Sequence, residues 1–568
     1  MIKKIFLFLF LTSILFNDLS FAKDRKIQYT NETISDYFYG IVSASKNETD
    51  TAYQHLNKIQ FIKDSHSNFN VKFIHTLILL EKYKQAFNFA KSVWSEDNYI
   101  LEVDLLIGLD FFIKKNYSKA EKHFKRLNDL QEYNLFFDDF LGNVLIGWTR
   151  ASQNKQQESF EILNKIPERY YNLKQVQNSF LQCYFDTNET QNSFAKLVED
   201  EDYSFSRYNF FLANYLLHKN ENEKAYKVII DSRKKHFSNL LIKQTENFIL
   251  NKKIKKIKNF FDCKNPKDNM AEIFYILANL YSTQNDYKLS NFYLKISFLL
   301  NDKFIPNKTL LAENFFYQQK YNLSKKTYNS IKSIGPLYSW YASKNISLIL
   351  LKIADKEASI KNLKNDFNLL KNPNYEHYYE LANFYKDIEY YKDSIKYYTL
   401  ALENIENNHA LVPKILDRRG TSYERSGDWD KAENDLEKSL KKLPDQPHVL
   451  NYLAYSWVEK RIHLEKAIKM LLKATSLRKN DGYIIDSLGW AYFVNKNYID
   501  AEKFLQKAVE LMPQDPVIND HYADALWMLD KSIQARYVWK YVLGLESAEQ
   551  KLKENINQKL IFGIKEKL

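Results

Sequence analysis

The stretch DGYIIDSLGWAYFVNKNYIDAEKFLQKAVELMPQD, residues 481–515, decides the fold. Its anchors are Leu488-Gly489, Tyr492, Ala501, Leu505, Ala508 and Pro513. Thirty-four residues further on, Tyr522-Ala523, Leu526, Ala535, Trp539 and Val542 repeat the series without the proline. Large, small and aromatic, then small, bulky and small, at this period describe two amphipathic helices joined by a tight turn. Such a hairpin cannot bury its apolar face alone and must stack on its neighbours. With Gly489 at position 8, small residues fall at 8, 20 and 27, and 8 and 20 mark where the two helices cross at close range. Larger side chains at 4, 7, 11 and 24 fill the space between.

The same register runs backwards along the chain. One repeat holds Leu453-Ala454, Trp457, Ala467, Leu471 and Ala474, with one extra residue expected in the turn Lys460 to His463. Others centre on Gly420, Ala382, Ala312 and Ala278. The N-terminal half is more degenerate but keeps the period, with Ala52, Ala86 and Ala120 at position 20 and Gly40 and Gly108 at position 8. Gly147 with Ser159, and Ala213 with Ala225, extend the series, whereas 160–205 and 335–370 look helical but resist registration. This is the tetratricopeptide pattern, and it predicts an all-α, right-handed solenoid of stacked helix–turn–helix repeats. The expected domains are a degenerate array over 23–232, a Lys/Asn-rich connection over 233–270, a second array over 271–545 and a capping helix with tail over 546–568.

Composition agrees with a helical array. Only 11 Gly and 10 Pro occur in 568 residues, poor material for tight-turned sheets. The net charge of +12 comes from lysines interleaved with 70 acidic residues, so no basic face for nucleic acid is expected. Residues 1–22 read as a secretory signal peptide. Lys3 and Lys4 precede an apolar run from Ile5 to Phe16, and Ser20-Phe21-Ala22 ends the leader. The mature chain then begins at Lys23, exported to the periplasm, with no lipobox cysteine and no membrane-spanning run. The two cysteines, Cys183 and Cys263, lie 80 residues apart in different repeats and are expected to stay unpaired, as buried small residues.

Chemistry is sparse. Neither a glycine-rich phosphate loop, nor H-E-x-x-H, nor C-x-x-C, nor G-x-S-x-G occurs. No enzyme, cofactor or metal site is expected, and His521, near Asp520 and Asp524, reads as a buried or groove-lining ring. Binding is where the residues speak. Positions 2, 5, 9 and 12 of the first helix project into the groove of such an array. They are His448, Asn451, Tyr455 and Val458, then Tyr483, Asp486, Trp490 and Phe493, then Val517, Asp520, Asp524 and Trp527. Aromatics and carboxylates mixed in this way suit a protein or peptide with apolar and basic groups. Trp490 and Trp527 stand equally well in the groove or packed between repeats. Lys and Asn at positions 5 and 9, which hold a C-terminal carboxylate in some such proteins, are absent.

The segments Asn451-Tyr-Leu-Ala-Tyr-Ser-Trp-Val458, Asp481-Gly-Tyr-Ile-Ile-Asp-Ser-Leu-Gly-Trp-Ala-Tyr492 and Asp515-Pro-Val-Ile-Asn-Asp-His-Tyr-Ala-Asp524 carry a resemblance over about 100 residues. They resemble a proteobacterial family of exported tetratricopeptide proteins, similar to the periplasmic adaptor of a carboxyl-terminal-processing protease. That adaptor carries a lipobox, from which this chain departs. The resemblance implies a periplasmic scaffold without catalysis, presenting clients to an envelope protease or assembly machine. The alternative is a structural subunit of an outer-membrane or polysaccharide-export complex.

Overall fold

A computed structural model describes residues 29–97, 99–129, 139–199, 206–235 and 239–564, so the leader expected over 1–22 lies outside the described residues. The described residues form fifteen helical hairpins and one closing helix, Gln550–Phe562, with no strand among them. The crossing rule is visible atom by atom. A Cβ placed on Gly489 would come 2.6 Å from Leu505 Cγ, and one on Gly108 would come 2.4 Å from Phe124 Cε1. Positions 8 and 24 therefore touch, and only a small residue lets the helices approach this closely. In three hairpins with serine at position 20, its hydroxyl ties the crossing by donating to the position-8 carbonyl. Ser290 does so to Ala278 at 2.6 Å, Ser324 to Ala312 at 2.8 Å and Ser359 to Ser347 at 2.8 Å. The last pair registers a hairpin, Pro336–Lys352 with Lys356–Asn368, that the sequence alone leaves unassigned.

Position 15 supplies the turn. Seven residues after position 8, the backbone of each hairpin enters the left-handed region, at Asn47, Asn285, Lys496 and Asp530 for example. The extra residue of the Ala454 repeat sits where the turn was expected: both Arg461 and His463 are left-handed there. Only Gly427 meets the demand of position 15 with glycine; the others bear a Cβ, which strains this conformation. Ala354, at φ 61°, gains nothing from its side chain in an exposed turn. Ala354→Gly is therefore expected to stabilise the protein by about 1 kcal/mol, read as a higher midpoint in denaturant titration.

The chain divides into two compact units, residues 1–366 and 367–568. The division does not fall in 233–270. That segment builds helices Leu240–Leu250 and Ile254–Phe260 within the first unit. Ile242, Phe248 and Ile257 are buried there, and most of the Lys252 to Lys258 run faces solvent. Within the first unit the array curls until its eighth hairpin meets its second. His75 stacks on Phe292 at 4.2 Å, the Tyr83 hydroxyl donates to the Lys295 carbonyl at 2.9 Å, and Lys295 pairs with Glu81 at 2.5 Å.

This curvature also corrects the cysteine reading. Cys183 and Cys263 form a disulfide, with Cα atoms 6.0 Å apart. Cys183 lies on helix Tyr171–Phe185, and Cys263 lies in the link before helix Pro266–Thr283. Phe211, from the hairpin between them, meets Phe180 at 5.0 Å and Phe261 at 4.6 Å. The shared aromatic core draws hairpins two repeats apart together, which a strictly sequential stack would not do.

Candidate protein-binding surface of the second unit

The first helices of the second unit's hairpins are Tyr375–Asp387, Val412–Arg425, Pro447–Glu459, Gly482–Val494 and Pro516–Met528. Their starts are written locally. Pro413, Pro447 and Pro516 occupy the first turn, where no backbone N–H is missed. The Asp481 carboxylate accepts from Ile484 N, and that of Asp515 accepts from Val517 N and Ile518 N.

Residues from four successive first helices border one cleft of about 440 Å³, with Lys386, Asp417, Arg418, Asn451 and Tyr483 around it. His448 Nε2 lies 3.1 Å from Asp417 Oδ2 at the rim. Tyr483 is 56% exposed, a large ring left in solvent. Asn451 Oδ1 is buried and has no hydrogen-bond partner. A buried acceptor without a donor is costly, and a ligand N–H would relieve it. Lysine, arginine and carboxylate side chains stand together around this opening, so it offers both signs of charge.

The next rung is closed by the protein's own side chains. Trp490 is stacked between Phe493 at 4.7 Å and His521 at 4.1 Å, while its Nε1 donates to Glu459 Oε1 at 2.8 Å. Asp486 is buried and lies 3.0 Å from His521 Nδ1. Burial alone would lower the His521 ring, but Asp486, aided by Asp524 and Asp520, outweighs it and holds the ring above its ordinary value. Tyr455 is half-buried, and burial next to Glu459 and Asp486 raises its hydroxyl far above the usual range.

The last three residues read as groove-lining do not face open space. Lys559 of the closing helix sets its Nζ within 2.7–2.9 Å of both carboxylates of Asp520 and Asp524. Asp524 also accepts from Trp539 Nε1 at 3.2 Å. Burial, then Asp520, raises the Asp524 carboxyl, and Lys559 offsets part of this. Trp527 packs against Trp539 at 5.5 Å, and the backbone at Gly563 passes so close that a Cβ there would overlap its ring. Val458 is buried, while Val517 is 45% exposed. Of the expected set, Asn451 and Tyr483 thus border an open cleft, Tyr455, Asp486, Trp490 and Phe493 form an inter-repeat ladder, and Asp520, Asp524 and Trp527 lie under the tail. Sequence reasoning missed Arg418, Asp417 and Lys559, because the first two belong to positions 6 and 5 of a weaker repeat and the third to a polar tail.

No family model matches the sequence. A TPR repeat-containing protein of Pseudomonas aeruginosa is 30% identical over 103 residues, which is 18% of this chain and 18% of the relative's length. The fold is a tetratricopeptide-repeat solenoid. Among solved structures, this solenoid is compared with the APC/C hetero-tetramer Cut9–Hcn1 at 14% identity, covering 94% of this chain and 97% of that one, with a TM-score of 0.36. A tetratricopeptide repeat protein from Parabacteroides merdae is 20% identical, covering 39% of this chain and 86% of that one, with a TM-score of 0.34. A tetratricopeptide solenoid is a scaffold for protein interaction. No helix among the described residues is long and apolar enough to cross a membrane.

Proposed function

We propose that this solenoid is a non-catalytic adaptor of the cell envelope that holds a segment of another protein along the first helices of its second unit. The cleft that spans four hairpins carries this reading, because it is lined by Asn451, whose Oδ1 has no hydrogen-bond partner, and by the exposed Tyr483 ring. An extended segment crossing several repeats would meet that amide through its backbone and the ring through a side chain. The leader-like residues 1–22 and the paired cysteines support an exported, periplasmic setting, since disulfides persist in oxidising compartments. The resemblance to a protease adaptor makes client presentation the specific role.

The test combines Asn451→Ala with Tyr483→Ala in the mature protein. Capture of the partner purified from the native envelope should fall about tenfold, equivalent to about 1.4 kcal/mol. Stability should stay within about 0.5 kcal/mol, because one side chain is exposed and the other lacks a bond to lose. Unchanged capture per folded molecule would remove the cleft from the binding surface.

A further inference from the structure

The fifth hairpin, helices Tyr171–Phe185 and Thr190–Glu199, departs from the repeat rule where the rule is strictest. Asp186 is its left-handed residue, which puts Ser179 at position 8. Positions 4, 7 and 11 are then Gln175, Asn178 and Gln182. In the hairpin beginning at Pro447 the same positions hold Leu450, Leu453 and Trp457, all buried. Three amides, spaced by three and four residues on one helix face, stand where leucine and tryptophan make the core elsewhere.

These amides border a cleft of about 380 Å³, which Phe160 of the preceding hairpin and Asn192 also line. Asn178 Oδ1 is buried without a partner, although a core built for packing alone would not leave it so. Tyr171, at the edge, is 53% exposed. Among the described residues, the charged side chains lining the cleft are exposed Lys196 and Glu189, and Glu189 already accepts from Asn192 Nδ2 at 3.1 Å. The volume suits a small ligand. An amide presents donor and acceptor side by side and so matches neighbouring hydroxyl groups. A partly exposed ring covers the C–H face of a sugar. Among the described residues lining the cleft, Lys196 is the one cation, so no cationic pair stands at the amides to hold a phosphate or carboxylate.

We infer that the fifth hairpin binds a neutral saccharide, one or two sugar units long. A peptide backbone also offers donors and acceptors, but it needs an elongated track. This cleft is lined by only two neighbouring hairpins, unlike the four-helix cleft of the second unit.

The test is saturation-transfer NMR on the mature full-length protein. The probes are cellobiose, maltose and diacetylchitobiose, the tetrasaccharide of each, and an uncharged Ser-Ala-Gly peptide as the competing class. At least one saccharide should bind at millimolar concentration, and its tetrasaccharide should bind as well or better if the natural source is a glycan chain. Gln175→Leu with Asn178→Leu restores the apolar rule, so melting should hold or rise while saccharide affinity falls at least tenfold. Tyr171→Ala, at an exposed position, should weaken binding without touching the core. Absence of transfer from every saccharide, equal binding by the leucine variant, or preference for the peptide would overturn the inference.

Discussion

Replacing Cys183 and Cys263 together by alanine is expected to lower the stability of the first unit by about 4 kcal/mol. The bridge closes a loop of 80 residues, and tying such a loop removes about that much chain entropy from the unfolded state. Both residues are buried, at 1% and 6% exposure, so reductant should act slowly on the folded protein and fully on the unfolded one. Urea titrations of wild type with and without reductant, set beside the alanine pair, measure the effect. A difference below about 1 kcal/mol would mean that the curl of the first unit is held by its aromatic core and that the cross-link adds little.

The second large effect is expected at the opposite end. Lys559→Ala takes from two buried carboxylates, Asp520 and Asp524, the ammonium group that pairs with both. Breaking a buried pair in this way costs about 3–5 kcal/mol. The loss should be local, because repeats are stabilised mainly by their neighbours. Hydrogen exchange should therefore accelerate in helices Pro516–Met528 and Ser532–Leu543 and remain unchanged in the first unit. The deficit also depends on pH. The folded carboxyl of Asp524 is raised above its unfolded value of 3.8, so the folded state binds the extra proton, and the stability linked to it is present at low pH and lost as pH rises through the folded value. His521 acts in the same direction: its contribution is complete below 6.5 and is lost as pH rises through its raised folded value. Without Lys559 the carboxyls must protonate instead, so the penalty at pH 5 should be smaller than at pH 8. Equal penalties at the two values would show that the carboxylates reach water once the lysine is gone.

How much of this was legible depends on how local the cause is. The contacts between Gly489 and Leu505, and between Gly108 and Phe124, follow from a crossing distance that only small residues allow, so the spacing alone gave them away. The turn residue was silent. Its left-handed conformation recurs at position 15, but apart from Gly427 it is occupied by Asn, Lys, Glu, Asp, Gln, Arg and Ala, where glycine would have been the signal. Hairpins centred on Ser179 and Ser347 escaped because serine replaces the usual Gly or Ala and, in the first, amides replace the apolar neighbours. The disulfide escaped for a deeper reason. A reading in which each hairpin knows only the next has no place for contacts across two of them, and the Phe180, Phe211 and Phe261 cluster is such a contact. At the candidate surface, position numbers put Asn451 and Tyr483 on one face and both line one cleft, yet they could not foresee that Lys559 would arrive from a polar tail to cover Asp520 and Asp524.

The meeting of His75 with Phe292 and of Tyr83 with Lys295 changes how the first unit must come apart. A simple stack unzips from its ends like a row of coins, losing one at a time. A row bent round until distant coins lean on each other, and riveted between Cys183 and Cys263, has no loose end to start from within that span. Heat or mechanical load would have to break that span as one block, whereas the last described hairpin of the second unit is held on one side by the closing helix, through Lys559 and through Arg536, which donates to the Leu560 carbonyl at 2.8 Å.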